Sequence, residues 1–278
     1  MNAVTPASRW HARLDIDFAW RLDKTIIQHR KHQGPLVIQK PFYPEVETCH
    51  VYLIHPPGGV VGGDRIDLNV SVGAKAHALL TTPAANKFYR SAGAHADVRQ
   101  MFVVNEGAIL EWLPQENILF NDSLVNLHTR INIARNAKLL SWEIQCLGRP
   151  ASHESFSHGR LRQRFELWQD NKPLFIDRST IEGGSEIEQA QWGLAGYSAL
   201  GSFILFPASQ AELELIRQTM TMSNEDFRFS VSLIGGVLVC RCLAHQAEPM
   251  REVFIDVWAR LRPELINKQV TIPRIWNT

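Results

Sequence analysis

The chain has 278 residues, of which 45% are apolar, so a substantial buried core is expected without disulfide or metal staples. Its 29 basic and 28 acidic residues nearly cancel, which excludes a strong electrostatic preference for nucleic acid or for an anionic membrane. The four cysteines show no C-x-x-C spacing, and neither a signal-peptide core nor an apolar run of membrane-spanning length occurs. These features predict a soluble, cytoplasmic protein with reduced thiols.

Short strands and a glycine-rich stretch make up the first part of the chain. Alternating apolar and polar residues predict strands at 10–21, 36–40 and 49–55. The stretch HPPGGVVGGD follows at 55–64, and Gly58 and Gly63 have the spacing of a phosphate-binding loop. Such a loop needs lysine and then serine or threonine next, where this chain has Asp64 and Arg65. A carboxylate there repels phosphate, so nucleotide binding is rejected.

A pattern of strand, tight turn and second strand recurs at roughly thirty-residue intervals after the glycine-rich stretch. The predicted turns are Val72-Gly73-Ala74, Glu106-Gly107-Ala108 and Arg135-Asn136-Ala137, each followed by an apolar strand. Glycine and asparagine tolerate the left-handed conformation that such turns require. The recurrence favours stacked pairs of strands over an irregular β-sandwich.

The C-terminal half adds further strands and the only predicted helices. Strands are predicted at 160–168 and 201–206, and a hairpin at 227–233 and 237–243 turns at Gly235-Gly236. Helical spacing of apolar residues predicts helices near 208–222 and 249–262, and Ser209 with Glu212 forms a capping-box pattern at the first. No linker divides the chain, so residues 1–278 are predicted to form a single, mainly β domain with two C-terminal helices.

Three carboxylates stand in apolar or glycine-rich surroundings: Asp64, Glu143 and Asp177. A buried carboxylate is costly unless it is paired or hydrated. One interpretation is an ion pair with a neighbouring arginine, Arg65 or Arg178. The other is a metal-handling role, in which the three carboxylates guide a cation along a solvated passage.

Other candidate sites are weaker. His153 and His158 are five residues apart rather than the four of a zinc-protease helix, which excludes that class. Cys240 and Cys242 share one strand face, and core packing is favoured over a soft-metal site. A metal-dependent hydrolase or isomerase on a β-helical body, with a site built from His55, Asp64 and His77, remains open as the alternative.

Several motifs in order resemble the urease accessory protein family UreD, called UreH in some bacteria. They are KPFYPEVETCH at 40–50, HPPGGVVGGD at 55–64, ANKFYRS at 85–91, EWLPQENILF at 111–120, CLGRPASHESFSHG at 146–159 and IPRIW at 272–276. The resemblance implies a β-solenoid-like body of two layers of stacked strands with a helical end.

The resemblance also implies a function without catalysis. A UreD-like protein is expected to act as a chaperone or scaffold that binds the urease apoprotein. Together with UreF and the GTPase UreG it supports nickel insertion into the urease metallocentre, and UreE is a possible nickel donor through the complex. No tightly bound cofactor is expected, and nickel is bound only in transit. GTP hydrolysis by UreG agrees with the rejected phosphate loop.

Overall fold

Strands dominate the computed structural model, which describes residues 10–220 and 223–277. The mainly β prediction is confirmed. In chain order the strands are β1 His11–Arg21, β2 Lys24–Gln33, β3 Val37–Ile38, β4 Cys49–Ile54, β5 Arg65–Val72, β6 His77–Thr81, β7 Asn86–Phe88, β8 Ala96–Val104, β9 Ile109–Trp112, β10 Asn117–Leu119, β11 Leu124–Ile133, β12 Lys138–Leu147, β13 Arg160–Gln169, β14 Lys172–Glu182, β15 Ala199–Phe206, β16 Phe227–Ile234 and β17 Val237–Ala244. The helices are α1 Gln210–Thr219 and α2 Ala247–Ile266.

The strands form two sheets that face each other. The first sheet has the order β14-β13-β11-β8-β5-β1-β2, and its neighbours from β13 to β1 run parallel. The second has the order β16-β17-β15-β12-β9-β6-β4-β3, with β7 and β10 attached beside β12. Successive strands therefore alternate between the layers, β5 to β6, β8 to β9 and β11 to β12, which confirms the predicted solenoid-like stacking.

The three predicted repeat turns exist, but the first is displaced by two residues. The left-handed residue of each turn is Lys75, Gly107 or Asn136, with φ of 64°, 64° and 58°. Each is followed by a buried alanine whose backbone N–H closes the turn. Gly73 is needed for a different reason, because a Cβ there would lie 2.7 Å from the carbonyl oxygen of Phe18. The prediction mistook this close approach for the turn position itself.

Two hydrophobic cores lie on opposite faces of the second sheet. One fills the space between the sheets and includes Leu14, Phe18 and Val239. The other lies between the second sheet and the helices and includes Trp142, Phe254 and Trp258. The helices thus form a third layer on the outer face of the second sheet rather than an end cap, a difference that local sequence patterns do not encode.

Both predicted helices are present with shifted ends. Ser209 caps α1 in the predicted capping box with Glu212, and the predicted residues 221–222 lie outside the described part of the chain. Helix α2 continues three residues past Pro263 to Ile266, and Asn267 caps it with a φ of 54°. Its length comes from packing, since Ile266 is still buried. None of the described helices is long and apolar enough to cross a membrane.

Candidate functional site

The space between the two sheets is incompletely filled and holds a cavity of about 620 Å³. Its lining is mostly apolar, and the polar side chains that reach it are His55, Thr82, Asn86, Lys87, Gln100, Gln115, Asn117, His128, Thr129, Glu143 and Gln145. Gln145 is 1% exposed, and neither atom of its amide has a hydrogen-bond partner among the described residues. Buried polar atoms need partners, so this cavity is suited to hold water or a polar guest.

Glu143 lies where the first cavity ends. It belongs to β12 of the second sheet, but its carboxylate accepts hydrogen bonds from Thr129 and Gln163, which lie on β11 and β13 of the first sheet. The Gln163 Nε2 to Glu143 Oε2 distance is 2.7 Å. Burial, and to a lesser extent the negative charge of Asp177, raise the pKa of Glu143 against the opposing effect of those hydrogen bonds. The carboxyl group therefore holds a proton more readily than an exposed glutamate does.

A second cavity, of about 440 Å³, lies on the other side of this contact. Gln163 and Asp177 both line it, and so does Ser202, the residue paired with Glu143 in the neighbouring strand. The carboxylate of Asp177 forms an ion pair of 2.8 Å with Arg241. The predicted partner Arg178 is not the one used. The structure therefore brings Glu143 and Asp177 to adjoining cavities, close enough for one charge to affect the other.

Asp64 lies apart from these two residues. Its oxygens accept the backbone N–H groups of Trp10, at 3.0 Å, and of Val61, at 3.1 Å, which tie the glycine-rich loop to the start of the first sheet. The predicted pairing with Arg65 does not form, because Arg65 pairs with Asp67 at 2.8 Å. Asp64 is 8% exposed and raises the pKa of His55, although burial lowers that pKa by more. Its link to the first cavity is thus through His55.

The alternative site of His55, Asp64 and His77 does not assemble. The imidazole of His77 uses both nitrogens, one with Glu111 at 2.6 Å and the other with Thr48 at 3.0 Å. Within residues 10–220 and 223–277, no group of three or more histidine, cysteine, aspartate or glutamate side chains is arranged to hold a metal ion. Cys240 and Cys242 are buried in the core beneath the helices, as predicted.

A buried ionic network, which sequence reasoning missed, joins α2 to the second sheet. Arg262 is fully buried and donates to Glu111 at 3.0 Å and to Glu45 at 2.6 Å. Trp258 donates to the other oxygen of Glu111 at 2.6 Å. Burial alone would raise the pKa of Glu111, but His77 and Arg262 outweigh it and lower the pKa to about 2. Burial also lowers the pKa of His77, which disfavours the charged form of its imidazole. Arg262 therefore supplies the positive charge that balances Glu111.

The signal for this network was present in the sequence. Glu111 stands in ILEWL as Glu143 stands in SWEIQ, a carboxylate within an apolar strand. Its partner Arg262 lies 151 residues away on a helix, a distance that no local pattern bridges. The same holds for the pairing of Asp177 with Arg241.

Fold and site together define a three-layer β protein with adjoining polar-lined cavities and, in the described residues, no assembled metal centre. The family model for the UreD urease accessory protein matches residues 11–277. The chain belongs to the UreD urease accessory protein family.

Named relatives agree over nearly the full length. The urease accessory protein UreD of Klebsiella aerogenes is 41% identical over 271 residues, covering 97% of this chain and 97% of that protein. The UreD proteins of Citrobacter koseri and Enterobacter sp. strain 638 are each 40% identical, covering 97% and 99% of this chain and 92% and 99% of their own lengths.

Proposed function

We propose that this chain acts in urease maturation as a cytoplasmic, non-enzymatic scaffold that binds the urease apoprotein. It works with UreF and the GTPase UreG, and nickel delivered through the complex, with UreE as a donor, reaches the urease metallocentre. Membership of the family supports a role in urease maturation. The sequence at Gly63-Asp64-Arg65 supports a partner as the source of GTP hydrolysis, since a phosphate loop would need lysine there.

The observation that carries the nickel proposal is the hydrogen bond between Gln163 and Glu143. Each cavity reaches one partner of this bond, so opening it joins the two spaces into one polar route. Nickel prefers imidazole, and carboxylates and amides hold it more weakly. A route lined by Glu143 and Asp177, with His55 and His128 in the first cavity, therefore gives a divalent cation brief ligands without trapping it.

Protons compete with nickel on this route. Because burial raises the pKa of Glu143, protons compete with a cation for this carboxylate more strongly than they do at an exposed glutamate. Asp177 must in turn be released from Arg241 before it can act as a ligand. Asp64 contributes by holding the glycine-rich loop and His55 in place. These requirements keep the route closed until a partner complex opens it.

The test replaces the three carboxylates by neutral isosteres, Asp64→Asn, Glu143→Gln and Asp177→Asn, singly and together. The variants are co-expressed with urease, UreF and UreG, and nickel per urease active site is measured together with urease activity. Complex formation should persist, since shape is preserved. Nickel content should fall by roughly tenfold in the triple variant. Asp64→Asn alone should have a smaller effect than Glu143→Gln.

Asp170→Asn serves as the matched control. The Asp170 side chain is 56% exposed, pairs with the exposed Arg135 and lines neither cavity, so its replacement should leave nickel loading unchanged. If the triple variant assembles with its partners and loads urease as the wild type does, the carboxylates are structural and the nickel route is wrong. Failure of the wild-type chain to bind urease or UreF would instead contradict the scaffold itself.

The hydrolase or isomerase alternative has no observation in its favour. Both nitrogens of His77 are already bonded, and the described residues offer no three-ligand metal site.

A further inference from the structure

The first sheet ends in a strand whose outer edge is open. No described strand pairs with β2 on the side away from β1. At the start of β2 the described residues do cover this side, where Thr25 donates its N–H to the carbonyl of Glu47. From Gln28 to Gln33 every residue is exposed. An edge strand of this kind presents unpaired backbone N–H and C=O groups that a further strand can bond.

This edge carries an unusual charge. Strand β2 holds Lys24, Arg30 and Lys31 and no acidic residue. Strand β14, the opposite edge of the same sheet, holds two basic and two acidic residues and is balanced. The chain as a whole is also balanced, with a formal net charge of +1. One edge of the first sheet therefore carries three basic and no acidic residues, whereas its other edge is neutral.

The two faces of the edge differ. On the outer face, Lys31 and His29 lie opposite Asp15 and Asp17 of β1 in the strand register, so the charge of Lys31 has an acidic neighbour. On the inner face, Arg30 lies opposite the buried Ile16, with no carboxylate beside it in the register. On the inner face, therefore, no carboxylate of β1 offsets the positive charge of Arg30.

An open groove of about 630 Å³ runs along this part of the strand. It is lined by Ile26, Ile27, Gln28, His29, Arg30, Lys40, Pro41 and Tyr43, and none of these is acidic. Lys24 lies over the ring of Tyr43, 5.0 Å from its centre. Within the described residues, no ion pair involves Lys24, Arg30 or Lys40. The groove thus combines a half-buried apolar floor with cations that have no carboxylate partner.

We propose that the free edge of β2 and this groove bind an acidic, extended segment of a partner protein, which adds to the first sheet as one more strand. Backbone hydrogen bonds to β2 contribute affinity whatever the sequence of the segment. Its alternate side chains reach the groove and give specificity. Glutamate or aspartate at those positions meets Arg30 and Lys40, while small apolar residues pack on Ile27 and Pro41.

Charge identifies the occupant. Residues 1–9 of this chain, MNAVTPASR, contain no acidic residue, so they do not complement the groove. A second copy of β2 would bring like charges together, which is unfavourable. An acidic strand from another protein would pair with the free backbone groups of β2 and place carboxylates beside the basic side chains of the groove.

The binding test uses the full chain and a fluorescein-labelled peptide of about ten residues, the length of an ordinary long strand, that alternates glutamate with valine or threonine. Fluorescence anisotropy should detect saturable binding that weakens as salt is added. The same peptide with lysine in place of glutamate should not bind. Arg30→Glu and Lys40→Glu should each lower the affinity about tenfold, since each reverses a charge at the groove. Lys172→Glu, on the balanced opposite edge, is the matched control and should bind as the wild type does.

Hydrogen exchange distinguishes strand addition from simple charge attraction. Bound peptide should slow exchange at the backbone amides of residues 28–33 and leave β14 unchanged. The proposal is overturned if the acidic peptide does not bind, if the lysine peptide binds equally, or if Arg30→Glu has no effect. Protection at other strands overturns it too, and so does binding that appears only after removal of residues 2–9, because the chain's own terminus would then be the occupant.

Discussion

Two glutamates in neighbouring strands show how one residue type acquires opposite properties. Glu111 is paired in register with Leu140, whereas Glu143 lies three residues beyond Leu140. Since side chains alternate along a strand, the two carboxylates project from opposite faces of the second sheet. Glu111 meets the cation Arg262 and its pKa falls to about 2, whereas Glu143 meets only neutral donors and its pKa rises. The face of the second sheet from which a glutamate projects therefore decides whether it forms a structural ion pair or becomes a candidate metal ligand.

The raised pKa of Glu143 predicts a pH-dependent cost to stability. A carboxyl group that is more basic in the folded state stabilises folding fully below its unfolded pKa, about 4.3, and that contribution is lost as pH rises through the folded value. Glu143→Gln removes the titration. Urea unfolding should therefore show the variant gaining stability relative to the wild type as the pH rises above about 4.3.

A Glu143→Gln variant whose stability relative to the wild type does not change with pH would mean that Glu143 is as ionised in the folded protein as in the unfolded chain.

At the scale of elements, most strands and both helices were predictable because their patterns are local. The capping box at Ser209 and the hairpin between β16 and β17 are read directly from neighbouring residues. The first repeat turn was misplaced because Lys75, which adopts the left-handed conformation, is not a residue type that signals it. Strand β2 was not predicted, since its exposed charged half lacks the alternation of a half-buried strand.

The candidate site was less predictable than the fold. Their position as carboxylates within apolar strands pointed to Glu143 and Asp177, and the structure places both at adjoining cavities. The partners Gln163 and Arg241 come from other strands, so they follow only from the order of strands in the sheets. The buried network around Arg262 could not be predicted for the same reason, since its members come from distant parts of the sequence.

The attachment of α2 to the second sheet depends on Arg262. Replacing it by methionine keeps much of its volume but leaves Glu111 and Glu45 buried without their cation. Removing one partner of a buried ion pair typically costs about 3–5 kcal/mol. We expect Arg262→Met to lower the free energy of unfolding, measured with urea, by an amount in this range.

Two further variants make this measurement specific. Arg260→Met, two residues away on the same helix, removes a partly exposed ion pair with Asp256 and a contact with the sulfur of Met220, and should cost less than about 1 kcal/mol. Adding Glu111→Gln to Arg262→Met should restore part of the loss, because no uncompensated charge then remains at that position. Equal destabilisation by both arginine replacements would mean that the ionic network does not hold the helix.

At the scale of the whole molecule, the second sheet belongs to both cores. Its strand β12 supplies Leu139 to the space between the sheets and Trp142 to the space beneath the helices. Neither core is complete without this sheet, and the network around Arg262 adds a polar link between the sheet and the helix layer. Layers that share a central sheet are expected to unfold together, as the parts of a single domain do.

Cooperative unfolding of all three layers can be tested from either core. Leu14→Ala empties part of the space between the sheets, and Phe254→Ala part of the space beneath the helices; both side chains are buried, and such changes cost about 2–5 kcal/mol. In urea, tryptophan fluorescence includes the helix-side cluster of Trp142, Trp258 and Trp276, three of the eight tryptophans, whereas far-ultraviolet circular dichroism reports on the strands of both sheets. If the molecule is one cooperative unit, each variant shifts both signals to the same lower midpoint. A Phe254→Ala variant that loses its fluorescence transition while the strand signal keeps the wild-type midpoint would show that the helix layer is a separate unit resting on an independently stable pair of sheets.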